Sequence, residues 1–164
     1  MIILGIDPGI AIVGYGIIKC EGNSYKPLEY GCIRTDSKAY FPDRLKIVYE
    51  ELMDIIDTYK PQDMAIEELF FNKNVRTAIK VGQARGVEIL AGVNSGLNIY
   101  EYTPLQIKQG VVGYGTAEKH QVQEMVKLLL NLKEIPKPDD TSDALAVAIC
   151  HAHSIKFKEN FRMK

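Results

Sequence analysis

The chain has little of what several structural classes require. Its three cysteines, Cys20, Cys32 and Cys150, are odd in number, lie in apolar surroundings and show no close pairing. That excludes a disulfide framework and a cysteine-rich zinc site, and it predicts buried, reduced thiols. No apolar run approaches the ~18–20 residues of a membrane span. The opening Met1 to Asp7 has no basic n-region and meets a carboxylate too early for a signal peptide, so a cytoplasmic protein with no membrane contact is expected. Neither charge dominates, with 20 Lys and Arg against 21 Asp and Glu, and net charge alone gives no reason to expect nucleic acid. Low-complexity tracts and internal repeats are absent, which removes solenoids and propellers. What is there is ordinary globular usage, 46% hydrophobic and 25% charged over 164 residues. This fits one domain over residues 1–155, followed by a flexible tail over 156–164.

The distribution of charge says more than its total. Residues 1–71 carry a net −5, residues 72–133 a net +4, and residues 134–164 none. An acidic cluster beside a basic middle suits a metal-dependent enzyme acting on a phosphodiester, because holding cations and holding phosphates need opposite charge. It is also what an uneven solvated surface looks like.

The short apolar run Ile2 to Asp7, closed by Pro8-Gly9, the Ile-, Val- and Tyr-rich Ile12 to Lys19, and Leu28 to Thr35 predict three strands joined by tight turns as an antiparallel meander. From Asp43 the apolar residues recur at three and four, with Pro42 at the start, which predicts a helix closed before Pro61. Asp63 to Leu69 reads as a strand returning by a crossover. A helix over Val75 to Asn94 follows, then a strand over Leu97 to Tyr102 and a short helix from Thr103-Pro104 to about Lys108. A helix capped by Thr116 runs to about Leu132, and a last helix starts near Asp139. The order predicts an α/β fold with a mixed five-stranded sheet flanked by helices.

Two strands and one helix of this kind can bring carboxylates together. Asp7 ends an apolar strand, where an unpaired charge is costly. Glu67 and Glu68 interrupt another strand on opposite faces, and spacing does not choose between them. Asp140 and Asp143 stand i, i+3 on one helical face, where like charges repel unless a cation separates them. Such an oxygen-only set suits Mg²⁺ or Mn²⁺. Asp139, Asp140 and Asp143 also suit a helix N-terminus for its dipole alone, Asp7 suits a turn, and Glu68 suits a solvated position.

Taken together, the ordered motifs resemble a known family. They are Gly5-Ile6-Asp7-Pro8-Gly9, Gly14-Tyr15-Gly16, Ala65-Ile66-Glu67, Gly82-Gln83-Ala84-Arg85-Gly86, Lys108-Gln109, Val111-Val112-Gly113, and Asp140-Thr141-Ser142-Asp143-Ala144-Leu145-Ala146. They look like RuvC, the bacterial crossover (Holliday) junction endodeoxyribonuclease, over about residues 2–153. The first motif alone also resembles the opening of actin-like kinases and chaperone ATPases.

The resemblance implies a ribonuclease H-like fold with Asp7, Glu67, Asp140 and Asp143 as catalytic, metal-binding carboxylates, and so chooses Glu67 over Glu68. It implies two Mg²⁺ ions per site, with Mn²⁺ able to substitute, and products with a 5′-phosphate and a 3′-hydroxyl. Phe70 would stack on an opened base, with Phe71 in the core. Lys108 and Lys119 would serve beside the active site, and Lys73, Arg76, Lys80 and Arg85 would contact phosphates. A homodimer would form through the helix carrying Ala78, Val81, Gly82, Gly86 and Ile89, although close packing on the chain's own sheet explains those small residues equally well. Four-way junction DNA and the RuvA and RuvB branch-migration proteins are the partners implied. The alternatives are an actin-like ATPase, a non-catalytic junction-binding module, and a ribonuclease H-like nuclease for another branched or hybrid substrate.

Overall fold

β-Branched and aromatic residues, with Leu, build the first three strands, β1 (Ile2–Asp7), β2 (Ile12–Glu21) and β3 (Ser24–Arg34), as an antiparallel meander. In this computed structural model, which describes residues 1–22, 24–69 and 75–163 and all of their side chains but those of 75 and 76, the remaining elements alternate. They are α1 (Phe41–Tyr59), β4 (Asp63–Glu67), α2 (Val75–Asn94), β5 (Asn98–Tyr102), α3 (Pro104–Val112), α4 (Lys119–Leu129) and α5 (Asp139–Ser154). The sheet order is β3-β2-β1-β4-β5, with β4 parallel to β1 and β5 parallel to β4. This is the mixed, helix-flanked sheet that the sequence pattern predicts.

Side-chain alternation divides the core into two layers. One face of the sheet sends Leu4, Ile6, Val13, Ile17, Met64 and Ile66 against α1 and α2. The other sends Ile3, Ile18, Ala65, Tyr100 and Tyr102 against α3, α4 and α5. Helix α5 lies close on that second face because Gly5 of β1 and Gly14 of β2 offer no side chains beneath it. A Cβ at Gly5 would stand 2.2 Å from the Ala144 carbonyl oxygen, and one at Gly14 would stand 2.0 Å from that of Asp140. No side chain fits at either position, and these glycines set the height of α5 above the sheet.

Local boundaries differ from the sequence expectation at the end of α3 and the start of α4, each with a local cause. Helix α3 continues to Val112, beyond Lys108, and ends where Gly113 takes a φ of 95°. Its start is as expected: the Gln106 amide donates to Thr103 Oγ1 at 3.2 Å and the Thr103 amide donates to Gln106 Oε1 at 2.8 Å. Helix α4 begins at Lys119 with Glu118 as its cap in place of Thr116, the Glu118 amide donating to Gln121 Oε1 at 2.8 Å. Cys20 and Cys150 are buried free thiols as expected, whereas Cys32 is free but only half-buried.

The segment from 155 does not trail from the domain. Residues Ile155–Phe161 form a 3-10 turn, Phe161 stacks on Tyr102 at 4.8 Å, and the Met163 amide donates to the Ile99 carbonyl at 3.0 Å. Beneath it lies a buried ionic cluster. Asp63, at the start of β4, accepts from His151 Nε2 at 3.0 Å, Lys158 Nζ at 2.8 Å and Asn98 Nδ2 at 3.0 Å, while His151 Nδ1 lies 2.7 Å from the Tyr102 hydroxyl. Among the described residues no helix is long and apolar enough to cross a membrane.

Candidate active site

The strand ends and one helix end converge. Ile6 pairs with Ile66 across parallel strands, so Asp7 and Glu67, the next residues of β1 and β4, leave the sheet side by side. Glu67 lies four residues after Asp63, whose carboxylate meets His151 of α5, so alternation places Glu67 on the α5 face. The fold thereby makes the choice that spacing left open. Glu68 instead lines a separate hollow with Glu101, Thr103 and Arg162. Asp140 is seated over Gly14, the residue of β2 that pairs with Asp7, and Asp143 follows one turn along α5.

Electrostatics record the convergence. Burial, then the charges of Glu67, Asp143 and Asp140, push Asp7 up to about 8. Burial and Asp143 push Glu67 up to about 7, and burial also raises Asp143. Lys119 at the start of α4 is the internal counter-charge, with Nζ 2.9 Å from Asp143 Oδ2 and 3.2 Å from Asp139 Oδ2. Glu67, Lys108, Lys119 and Asp143 line a cleft of about 270 Å³ floored by Ile107, Val122 and Ala146.

No three carboxylate, imidazole or thiolate groups among the described residues already close a coordination sphere. The donor set nevertheless fits a hard divalent cation. Every candidate ligand is a carboxylate oxygen, and mutual repulsion together with burial holds Asp7 and Glu67 above the ordinary carboxylate range until a cation offsets it.

A pH dependence with a definite sign follows. The folded pKa of Asp7 lies above its unfolded value, so its contribution to stability is full below the unfolded pKa and is lost as the pH rises through the folded one. Metal-free protein is expected to lose stability between about pH 4 and pH 8. Added Mg²⁺ should raise the Tm more at pH 8 than at pH 5, and Asp7→Asn should shrink that increment. Thermal unfolding at both pH values checks this, and an equal increment in the variant would remove Asp7 from the metal site.

The other expected residues are placed less uniformly. Lys108 and Lys119 reach the cleft. Lys80 is exposed and sits 5.6 Å over the Phe41 ring instead. Phe70, Phe71 and Lys73 lie outside the described residues, as does the side chain of Arg76. Arg85 is engaged within the fold: its Nη2 is 2.9 Å from Glu101 Oε2 and its Nε donates to the Glu67 carbonyl at 3.3 Å, so it braces the end of β4. Asp139, which the sequence offers only as a helix-dipole residue, proves to be the second anchor of Lys119.

On α2, Val81 and Ile89 are half-buried against the chain's own core, and Ala78 is half-buried. Gly82 and Gly86 are different. A Cβ at either would meet nothing within 4 Å, so packing on the chain's own sheet does not explain them. They lie on an exposed strip with Ile79, Leu90 and Val93.

The family model described as crossover junction endodeoxyribonuclease RuvC matches residues 3–151. A curated protein of that name from Alkaliphilus oremlandii is 63% identical over 164 residues, covering 100% of both chains. A solved RuvC structure from Thermus thermophilus is similar with a TM-score of 0.89 and 34% identity, covering 95% of this chain and 96% of that one. A second, of T. thermophilus RuvC in complex with a Holliday junction substrate, has a TM-score of 0.88 and 32% identity over the same shares. With its carboxylates gathered on a ribonuclease H-like sheet and its whole length matched, the chain belongs to the RuvC family of crossover junction endodeoxyribonucleases.

Proposed function

We propose that this protein resolves four-way DNA junctions during homologous recombination and repair in the cytoplasm, making paired symmetric nicks that leave 5′-phosphate and 3′-hydroxyl ends. Two Mg²⁺ ions held by Asp7, Glu67, Asp140 and Asp143, with Mn²⁺ able to substitute, are the cofactor of this reading. The observation that carries it is the crowding of Asp7 by three further carboxylates at the end of a sheet, beside a cleft that two lysines enter. When bound, such ions supply an activated water and stabilise the attacking and leaving oxygens of an in-line displacement at phosphorus.

The chain's own groups do the rest. Lys108 at the mouth of the cleft meets the scissile or adjacent phosphate. Lys119, held by Asp143 and Asp139, keeps positive charge next to the developing negative charge. Lys73, Arg76 and Lys80 belong to the basic third of the chain and contact the flanking backbone. Phe70, three residues after Glu67, stacks on an unpaired base, which is worth ~1–3 kcal/mol. RuvA and RuvB are the partners of this reading.

Two symmetric cuts need two sites, and a two-fold dimer supplies them. The strip of Ile79, Gly82, Gly86, Leu90 and Val93 supports a helix-to-helix dimer contact, because the two glycines let a second backbone approach. A labelled mobile-core junction should be nicked in both opposing strands with Mg²⁺ and not with EDTA. Leu90→Asp should give monomers whose nicks are no longer paired, read by sedimentation and by a supercoiled cruciform that distinguishes one nick from two. Junction binding without nicks across a panel of core sequences would instead favour a binding module. Preferential cutting of an RNA–DNA hybrid would favour another nuclease.

A further inference from the structure

Two ionisable side chains of the α1–α2 layer are fully or almost fully buried and form no salt bridge among the described residues, and both end on the same turn. Glu88 of α2 is 0% exposed, and its Oε1 accepts from the Gly9 amide at 3.3 Å while its Oε2 has no hydrogen-bond partner. Arg44 of α1 is 6% exposed, donating from Nη2 to the Ile10 carbonyl at 3.3 Å and from Nε to Thr35 Oγ1 at 2.9 Å. Thr35 Oγ1 in turn donates to the same Ile10 carbonyl. Among the described residues no carboxylate forms an ion pair with Arg44. Burying such groups unpaired is costly, and apolar side chains of similar volume would avoid the cost. What both retain in common is a hold on consecutive residues of the Pro8–Gly9–Ile10 turn.

We infer that Glu88 and Arg44 are positioning residues for Asp7, gripping from below the turn that follows it, one by the Gly9 amide and the other by the Ile10 carbonyl. The turn has little room to settle elsewhere, since a Cβ at Gly9 would stand 2.0 Å from the Ile12 carbonyl oxygen. Burial pushes the Glu88 carboxyl up to about 8, which lessens the negative charge it brings beside Asp7. Neither side chain lines the cleft, so both act through the backbone of the turn. Asp7 is thereby held from both layers of the fold, α5 lying over its pairing partner Gly14 and the clamp lying beneath.

This inference rests on Asp7 being a metal ligand, and the experiment separates the two. Wild type, Glu88→Ala, Glu88→Gln, Glu88→Asp, Arg44→Met and Asp7→Asn are titrated with Mg²⁺, reading junction cleavage and, independently, the rise in Tm. Glu88→Ala and Arg44→Met are expected to raise the half-saturating Mg²⁺ about tenfold or more in both readouts, as loss of a group that orients a metal ligand does. Cleavage at saturating Mg²⁺ should recover toward wild type. Glu88→Gln, whose amide oxygen still accepts from Gly9, should titrate like wild type, and Glu88→Asp, one methylene short of the turn, should not. If Glu88→Ala fails to fold, Glu88→Asp and Arg44→Met carry the same comparison. Lower metal-free Tm with an unchanged Mg²⁺ midpoint in Glu88→Asp and Arg44→Met would make the pair mere scaffolding and overturn the inference. An unchanged midpoint in Asp7→Asn would instead overturn the metal reading.

Discussion

Asp7→Asn and Glu67→Gln are each expected to lower junction cleavage by about 10²–10³-fold or more, the size seen when one group aimed at developing charge is removed. Junction affinity should survive. The reason is the division of labour in the proposed function: Lys108 and Lys119 of the cleft would meet the phosphates, whereas Asp7 and Glu67, crowded against each other, would hold a cation. Removing a negative charge weakens metal binding and at the same time relieves repulsion, so the same substitutions should raise the metal-free Tm at pH 8. Cleavage rates, binding by electrophoretic shift and thermal unfolding on one set of proteins check all three. Lost cleavage with lost binding and lowered Tm would point to a damaged fold and withdraw these residues from the chemistry.

Asp63→Ala carries the largest expected effect on stability. Asp63 is almost fully buried and holds His151, Lys158 and Asn98 at once. Removing one partner of a buried pair costs about 3–5 kcal/mol, here toward the lower end because Lys158 can turn to solvent. For a chain of this length that is a fall in Tm of roughly 6–12 °C. Burial opposes the charge of Asp63, but the three hydrogen bonds outweigh it and hold the carboxyl well below the usual range. Its contribution is therefore complete above the unfolded pKa and is lost as the pH falls through the folded one. Wild type should lose stability progressively below about pH 4, and Asp63→Asn should show a flatter acid limb. A Tm for Asp63→Ala within a degree or two of wild type would show that the cluster contributes nothing net.

Much of the fold was legible because its signals are local. The apolar run of β1, the three-and-four spacing of α1 and the Thr103-Pro104 cap each follow from residues within one element. The four carboxylates were legible as candidates, and the motif resemblance ranked them, but the pleat that sends Glu67 rather than Glu68 toward α5 needed the register of β4. What stayed hidden depends on tertiary placement. Arg85 reads as a phosphate-contacting cation until Glu101 of β5 meets it, and nothing in the sequence marks Glu88, whose role shows only once the Gly9 amide meets it. The segment after 155 reads as a loose end because its anchors, Asp63, Ile99 and Tyr102, lie more than fifty residues earlier.

The Asp63–His151 contact also joins the two arms of a calliper. β4 runs from Asp63 to Glu67, about 13 Å away, and α5 runs from His151 to Asp140, about 16 Å away. Both jaws carry carboxylates of the active site, and both arms meet at one buried pivot pinned by Lys158. At such arm lengths a tilt of about 4° at the pivot displaces a jaw by about 1 Å, and misplacement on that scale can cost a hundredfold in rate. The gap between the jaws, and so the fit of whatever cation they would grip, is set about 13 Å away, at the buried pivot.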